Sequence, residues 1–383
     1  MALPDYKLAQ QVHLVQVSNG DVQDVIKKIT EQEMAPYYYH LYNELSVVPW
    51  DQSLYDDLVG KNKLKIDSLK DDIKRLESED DSELDILKKW TELGEYYAQI
   101  GDKSNALTTL LKTIEIAPST GSKIDLYLTI SRIGFFFTDL PFVKKYLDLA
   151  NTLIEKGGDW ERRNRYKTYL GIYHLSTRDF LNAAKLLTES LSTFTSTELT
   201  SYEDVAQYCL IAGALNFDRP DLKKKLLDSP EIISVLSQTP KIVEPIYDLI
   251  KSLYSTDYKS FFPALLNTNE EILLKDRFLA PHAAYYLREI RVRAYAQLLE
   301  SYRSLSLKSM ASQFGVSVSF LDDDLCAFIR NKKLFCVIDR VGGIVETNRA
   351  DGKEAQYENL IRLGDGVLTK LQKYGGIVRL SGE

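Results

Sequence analysis

The stretch WTELGEYYAQIGDKSNALTTLLKTIEIAP, running from Trp90 to Pro118, decides the fold. Its apolar positions recur at helical spacing on either side of Gly101-Asp102, so it reads as two helices joined by a tight turn. Gly94 and Ala106 are small where the two antiparallel helices must cross closely, while Trp90 and Tyr97 fill the space beside them. Gly101-Asp102 supplies the turn, and Pro118 ends the second helix.

The pattern recurs down the chain. Leu170, Gly171, Asp179, Ala183 and Leu187 repeat Leu93, Gly94, Asp102, Ala106 and Leu110 in order. Between them, Tyr127 to Ala150 reads as a degenerate hairpin with Gly134 at its middle. These are the spacings of a tetratricopeptide unit. No hairpin of this kind buries its apolar face alone, so successive ones stack into a solenoid. Upstream, residues 61–77 place Leu64, Ile66, Leu69, Ile73 and Leu76 at helical spacing among many Lys and Asp, an amphipathic helix with a narrow seam. The acidic run from Glu77 to Ser82 reads as a solvated loop.

Residues 178–303 continue as helices separated by turns at Pro220, Pro230, Pro240, Pro245, Pro263 and Pro281. The helix after Pro281 carries Leu287, Ile290, Ala294 and Leu298 on one face. Arg288, Arg291 and Arg293 lie off that face beside Glu289, as a solvated and partly self-paired stripe. Ser306 to Phe314 then reads as a short helix stopped by Gly315. Ser317 or Ser319 caps a second helix bearing Leu321, Leu325, Phe328 and Ile329. Two strands follow, Leu334–Ile338 and Ile344–Thr347, joined across Gly342-Gly343. Helix, turn, helix and hairpin make a winged helix. Ala355 to Tyr374 is a separate helix with an apolar stripe. The expected fold is mainly α: a tetratricopeptide-like solenoid, a winged-helix module and a C-terminal helix.

Composition narrows the function. The chain has 383 residues, 44% of them hydrophobic, a formal net charge of −7 and a pI near 5.4. That charge argues against affinity driven by phosphate attraction. Winged helices often place their second helix in DNA, but here that helix opens on Asp322, Asp323 and Asp324, which repel a phosphate backbone. The three cysteines, Cys209, Cys326 and Cys336, are too few and too odd in number for a disulfide framework, so a reducing compartment is expected, with Cys326 and Cys336 as a reduced, buried pair. No signal-peptide layout opens the chain and no apolar run approaches a membrane span, so a soluble intracellular protein is expected. His13, His40, His174 and His282 are scattered, and no HExxH or CxxC spacing occurs. Gly101-Asp-Lys-Ser104 lacks the Gly-Lys step and the preceding strand of a phosphate loop, and no G-x-S-x-G elbow exists. A protein without catalytic activity, cofactor or metal is expected.

Helical repeats running into a winged helix resemble the PCI-domain family, shared by the proteasome lid, the signalosome and a translation-initiation complex. Particular segments resemble a proteasome lid member of that family: Pro4–Gln10, Met34–Tyr38, Gly157–Arg165, Ser192–Ser196, Leu279–His282, Tyr295–Ser304 and Ile344–Asn348. Leu45–Leu58 and Gly375–Glu383 depart from it. The resemblance implies a scaffold subunit of the regulatory-particle lid in cytoplasm and nucleus, serving ubiquitin-dependent degradation, with a signalosome scaffold as the alternative. It divides the chain into an N-terminal repeat region (1–185), a PCI domain (186–350: helical part 186–303, winged helix 304–350) and a terminal helix and tail (354–383). The implied partners are other PCI subunits of the lid, its small acidic subunit, its metalloprotease subunit and the base ATPases, with no nucleic acid or membrane. Interface residues are expected at Leu321, Leu325 and Val337 in the winged helix. A bundle of neighbouring helices is expected to cover Tyr357, Leu360, Ile361, Gly364, Val367, Leu368 and Leu371.

Overall fold

The computed structural model describes residues 4–18, 22–78, 83–347 and 352–380. The chain divides into two compact units, Met1–Ile290 and Arg291–Glu383.

The first unit opens with α1 (Tyr6–Ser18), α2 (Val22–Glu31), α3 (Ala35–Asn43) and the long α4 (Gln52–Ser78). Three hairpins follow: α5 (Glu83–Ile100) with α6 (Lys103–Ile116), α7 (Thr120–Phe136) with α8 (Leu140–Gly157), and α9 (Trp160–Ser176) with α10 (Phe180–Leu191). Beyond them lie α11 (Tyr202–Asn216), α12 (Arg219–Leu222), α13 (Pro230–Gln238), α14 (Pro240–Ser255) and α15 (Tyr258–Thr268).

One backbone device turns all three hairpins. The first helix ends on a residue of positive φ, Gly101 (82°), Thr138 (57°) or Arg178 (66°), and the next residue is an aspartate. The amide of that aspartate donates to the carbonyl five residues back, Asp102 to Tyr97 (3.0 Å), Asp139 to Gly134 (3.0 Å) and Asp179 to His174 (2.8 Å), which closes the helix end. Its carboxylate then accepts from the amide three residues on, at Asn105, Phe142 and Asn182, and so caps the next helix. Inside the first and third hairpins the small residues do what the spacing predicts. A Cβ added at Gly94 would lie 2.6 Å from Leu110 Cδ2, and one at Gly171 would lie 2.7 Å from Leu187 Cδ2. Leu93, Tyr97, Ala106 and Leu110 share one apolar cluster with Leu126, Ile130 and Ile133, so the first hairpin is completed by the second.

Several expectations are corrected. The middle hairpin turns at Phe137–Asp139, not at Gly134, which sits in the last turn of α7 against Phe142 and Val143. Helix α4 begins well before residue 61. Of its expected seam Ile73 is buried, Ile66, Leu69 and Leu76 are half-buried and Leu64 is exposed, because α4 touches the array along one edge. Pro245 and Pro263 lie inside α14 and α15 rather than in turns. Proline there removes an intrahelical hydrogen bond, but Pro245 is buried and its carbonyl accepts from Thr268 Oγ1 at 3.0 Å, so packing holds the helix through it. The expected boundary at 185/186 falls within α10, which packs on both α9 and α11. Residues 79–82 of the acidic run lie outside the described residues.

Helix α16 (Ala283–Ser301) leads into the second unit, a winged helix: β1 (Ser304–Ser306), α17 (Leu307–Phe314), α18 (Val318–Arg330), β2 (Cys336–Asp339) and β3 (Ile344–Thr347). Gly315 closes α17 at φ 68°, and Ser317 Oγ accepts from Phe320 N to cap α18. The sheet is antiparallel in the order β1-β3-β2, with Val345 opposite both Leu305 and Ile338. Strand β1 is an addition to the sequence reading, three residues being too few to show alternation. Met310, Phe314, Leu321, Leu325, Phe328 and Val345 form the interior, and Tyr295 meets Phe314 edge-on at 5.0 Å. The last element is α19 (Gly352–Leu380).

Candidate interaction surfaces

Among the described residues no group of three His, Cys, Asp or Glu side chains could hold a metal. Cys209 and Cys336 are buried thiols pushed up to about 11 by desolvation, and Cys326 is partly exposed, so the expected buried pair is only half buried. The surfaces carry the information.

In the winged helix the three expected contact residues separate. Leu321 and Leu325 are 0% exposed, so they belong to the module's own core and cannot touch another chain. They fall on the inward face of α18, where the same spacing that marks an amphipathic helix points them at α17 and the sheet. Val337 is 54% exposed on β2, beside exposed Phe335 and Val341. Because β3 is central, β1 and β2 are edges, and β2 offers unpaired backbone groups next to these apolar side chains.

The aspartates of α18 are also reassigned. The helix begins at Val318, so they occupy its second turn rather than its opening one. Asp324 accepts from Arg291 Nη1 (2.7 Å) and Tyr295 OH (3.2 Å), and burial pushes its carboxyl up against the opposing pull of Arg291. Asp322 accepts from Arg340 Nη2 at 2.9 Å. Only Asp323 stands exposed. Arg291 is thus a partner of the winged helix's own second helix, not part of a solvated stripe.

Helix α19 spans about 43 Å at 1.5 Å per residue. It runs longer than the expected Ala355–Tyr374. Tyr357, Leu360, Ile361, Val367, Leu368 and Leu371 all lie on it, and ten large apolar side chains described on it are 56–70% exposed. Nothing comes within 4 Å of the Cβ position of Gly364.

One polar assembly escapes sequence reasoning. Arg277 donates through Nη2 to the carbonyls of Phe135 and, at 2.9 Å, of Phe136, which close α7. Gln10 of α1 bonds the backbone of Lys275 and accepts from Arg277 N. Asp276 accepts from Tyr208 OH at 2.6 Å and from the amides of Phe278 and Leu279. This staple ties α1, α7 and α11 to one loop.

A family model described as "26S proteasome subunit RPN7" matches residues 51–225, and the PCI domain model matches residues 266–349. The 26S proteasome regulatory subunit RPN7 of Saccharomyces cerevisiae is 51% identical over 406 residues, covering 99% of this chain and 94% of that protein. The Schizosaccharomyces pombe regulatory subunit rpn7 is 43% identical, covering 91% of this chain and 88% of that protein. The 26S proteasome non-ATPase regulatory subunit 6 of Dictyostelium discoideum is 37% identical, covering 99% and 98%. Helical hairpins and a winged helix, with the PCI domain model matched over residues 266–349, put the chain in the PCI-domain class. Within that class, the chain belongs to the RPN7 family of 26S proteasome regulatory subunits. The signalosome alternative is not favoured. Among the described residues no helix is long and apolar enough to cross a membrane.

Proposed function

We propose that this chain is a non-catalytic scaffold of the 26S regulatory lid, joined to its neighbours through the β2 edge of its winged helix and through α19. The observation that carries the proposal is α19: ten large apolar side chains exposed along one helix have no place in a chain that works alone. Other PCI subunits of the lid are the partners for both surfaces, with the small acidic lid subunit, the lid metalloprotease subunit and the base ATPases as further neighbours. Such an assembly would act in cytoplasm and nucleus. The described stripe of Tyr357, Leu360, Ile361, Val367, Leu368 and Leu371 supplies the buried face, and Gly364 lets a second helix approach closely.

The test is co-purification of the tagged chain followed by mass spectrometry. The native chain should recover lid subunits, and Leu360→Asp with Leu368→Asp should lose them while melting as the native chain does. Recovery of signalosome subunits by the native chain, or normal lid recovery by the double variant, refutes the reading.

A further inference from the structure

A further exposed apolar surface lies in the first unit, where Trp50 sits at the centre of four tyrosine rings. Tyr38 stacks on it at 5.4 Å with an interplanar angle of 17°, and Tyr42 and Tyr55 lean on it at 4.9 and 5.0 Å. Tyr39 meets it edge-on at 6.0 Å. The group is held rigidly from beneath. Buried Tyr38 donates through its OH to the carbonyl of Pro49 (2.6 Å) and accepts from Asp51 N (2.9 Å), which latches the corner before α4. The indole N–H of Trp50 is committed to Gln52 Oε1. Above that base the surface is open: Tyr39 is 49% and Tyr42 44% exposed, and Leu45 and Val59 are exposed too.

Acidic residues flank Trp50 in sequence, and Gln52, which accepts from its indole N–H, donates to Asp56 Oδ1 at 3.0 Å. Glu44, Asp51, Asp56 and Asp57 are all exposed, and among the described residues none of them is ion-paired with a Lys or Arg. Hydrogen bonds from Ser53 and Leu54 hold Asp51 below the usual carboxylate range, so it stays ionised. Fixed aromatic faces attract a cation through their quadrupole, and carboxylates at the rim strengthen that attraction. Tyr and Trp are also the side chains that most often anchor protein contacts, and Arg is the one that most often meets them.

We propose that Tyr39, Tyr42, Trp50 and Tyr55 form a docking surface for an extended basic segment of another protein, with an arginine laid on the rings and further basic side chains on Asp51 and Asp56. The surface differs from both surfaces of the proposed lid contacts and does not depend on them. Because the rings are already packed, binding needs no rearrangement of the chain.

The experiment uses the full chain and three fluorescein-labelled octapeptides: alternating Arg-Ala, alternating Glu-Ala, and a neutral Pro-Ala peptide. Fluorescence anisotropy should show saturable binding of the Arg peptide alone, weakening as salt rises. Tyr39→Ala with Tyr42→Ala should weaken it roughly tenfold, the loss expected for two exposed ring contacts. Asp56→Lys should weaken it severalfold, whereas Asp71→Lys, on an exposed part of α4 away from the rings, should not. Circular dichroism checks that the variants stay folded, which their exposure favours. Equal binding by the ring variants and the native chain would reduce the effect to the chain's net charge and overturn the proposal. So would equal binding of the Pro-Ala peptide, or self-association of the chain that the ring variants abolish, which would give the surface to a second copy.

Discussion

Two glycines in neighbouring helices should respond to the same substitution in opposite directions. Replacing a helical glycine by alanine removes backbone freedom from the unfolded chain and is worth about 1 kcal/mol. At exposed Gly60 in α4 nothing lies within 4 Å of the new methyl, so the whole gain should appear. At Gly94 in α5 the methyl would sit 2.6 Å from Leu110 Cδ2 and 2.9 Å from Leu110 Cγ. Carbons in contact settle at about 3.5–4.0 Å, so Leu110 or the whole of α6 must move by about 1 Å. Overpacking of that kind costs about 1–3 kcal/mol, which cancels or exceeds the propensity gain. The two variants should therefore differ by ~1–3 kcal/mol. Thermal unfolding followed by circular dichroism should raise the melting midpoint by about 2–4 °C for Gly60→Ala, and leave it unchanged or several degrees lower for Gly94→Ala. Gly94→Ala rising as far as Gly60→Ala would mean that α5 and α6 do not cross closely there, and the hairpin assignment would fall with it.

The other expectations follow the same packing and charges. Ala106→Leu, at a fully buried position facing α5, should destabilise by about 1–3 kcal/mol in urea unfolding. Asp139 is held below the usual carboxylate range first by its hydrogen bond from Lys103 (2.6 Å), so the stability it contributes is present above about pH 4 and lost as pH falls through its lowered value. Asp139→Asn keeps a capping side chain, so it should cost under ~1 kcal/mol at pH 7 and should flatten the acid limb of the stability profile. The purified chain should not turn over a fluorogenic ubiquitin substrate or ATP, and a steady signal that survives rigorous purification would contradict the scaffold reading. It should also fail to shift duplex DNA at physiological salt, and tight binding with a steep salt slope would overturn the protein-contact assignment of the winged helix.

What was readable in the sequence is what is local. Gly94 and Ala106, Gly171 and Ala183, and the Asp after each turn lie within one hairpin of their partners, so spacing alone reveals them. The middle hairpin was misplaced because its turn carries Thr138 rather than glycine at positive φ, and because buried Ser131 stands where the other two hairpins have glycine. The repeated signal was the aspartate at 102, 139 and 179, not the glycine before it. Leu321 and Leu325 were expected at an interface because an apolar stripe on a helix looks the same whether its own domain or another chain covers it. The staple at Arg277 was beyond reach: its acceptors Phe135 and Phe136 lie 142 and 141 residues away in sequence, and no periodicity links them.

The terminal helix shows why a stripe and a fold are separate questions. Its residues Tyr357, Leu360, Gly364, Val367, Leu371, Tyr374 and Val378 alternate steps of three and four, the seam of a helix that packs against another helix. Ile361 and Leu368 widen that seam on one flank, and Leu363 and Ile377 on the other, so a single neighbouring helix would leave apolar surface open. Within the helix stand Gly364, Gly366, Gly375 and Gly376, each costing about 1 kcal/mol against alanine, with no tertiary contact at any of the four to offset it. Helices in proteins draw most of their stability from packing of an apolar face, and the large apolar side chains described on this one are 56–70% exposed. On the proposed contacts, sequence that weakens the helix alone while keeping its face continuous would make the helix gain stability from its neighbours. The same four glycines leave room for backbones to approach closely once those neighbours arrive. If α19 docks as proposed, this layout separates the stability of the repeat array from the step of joining a complex.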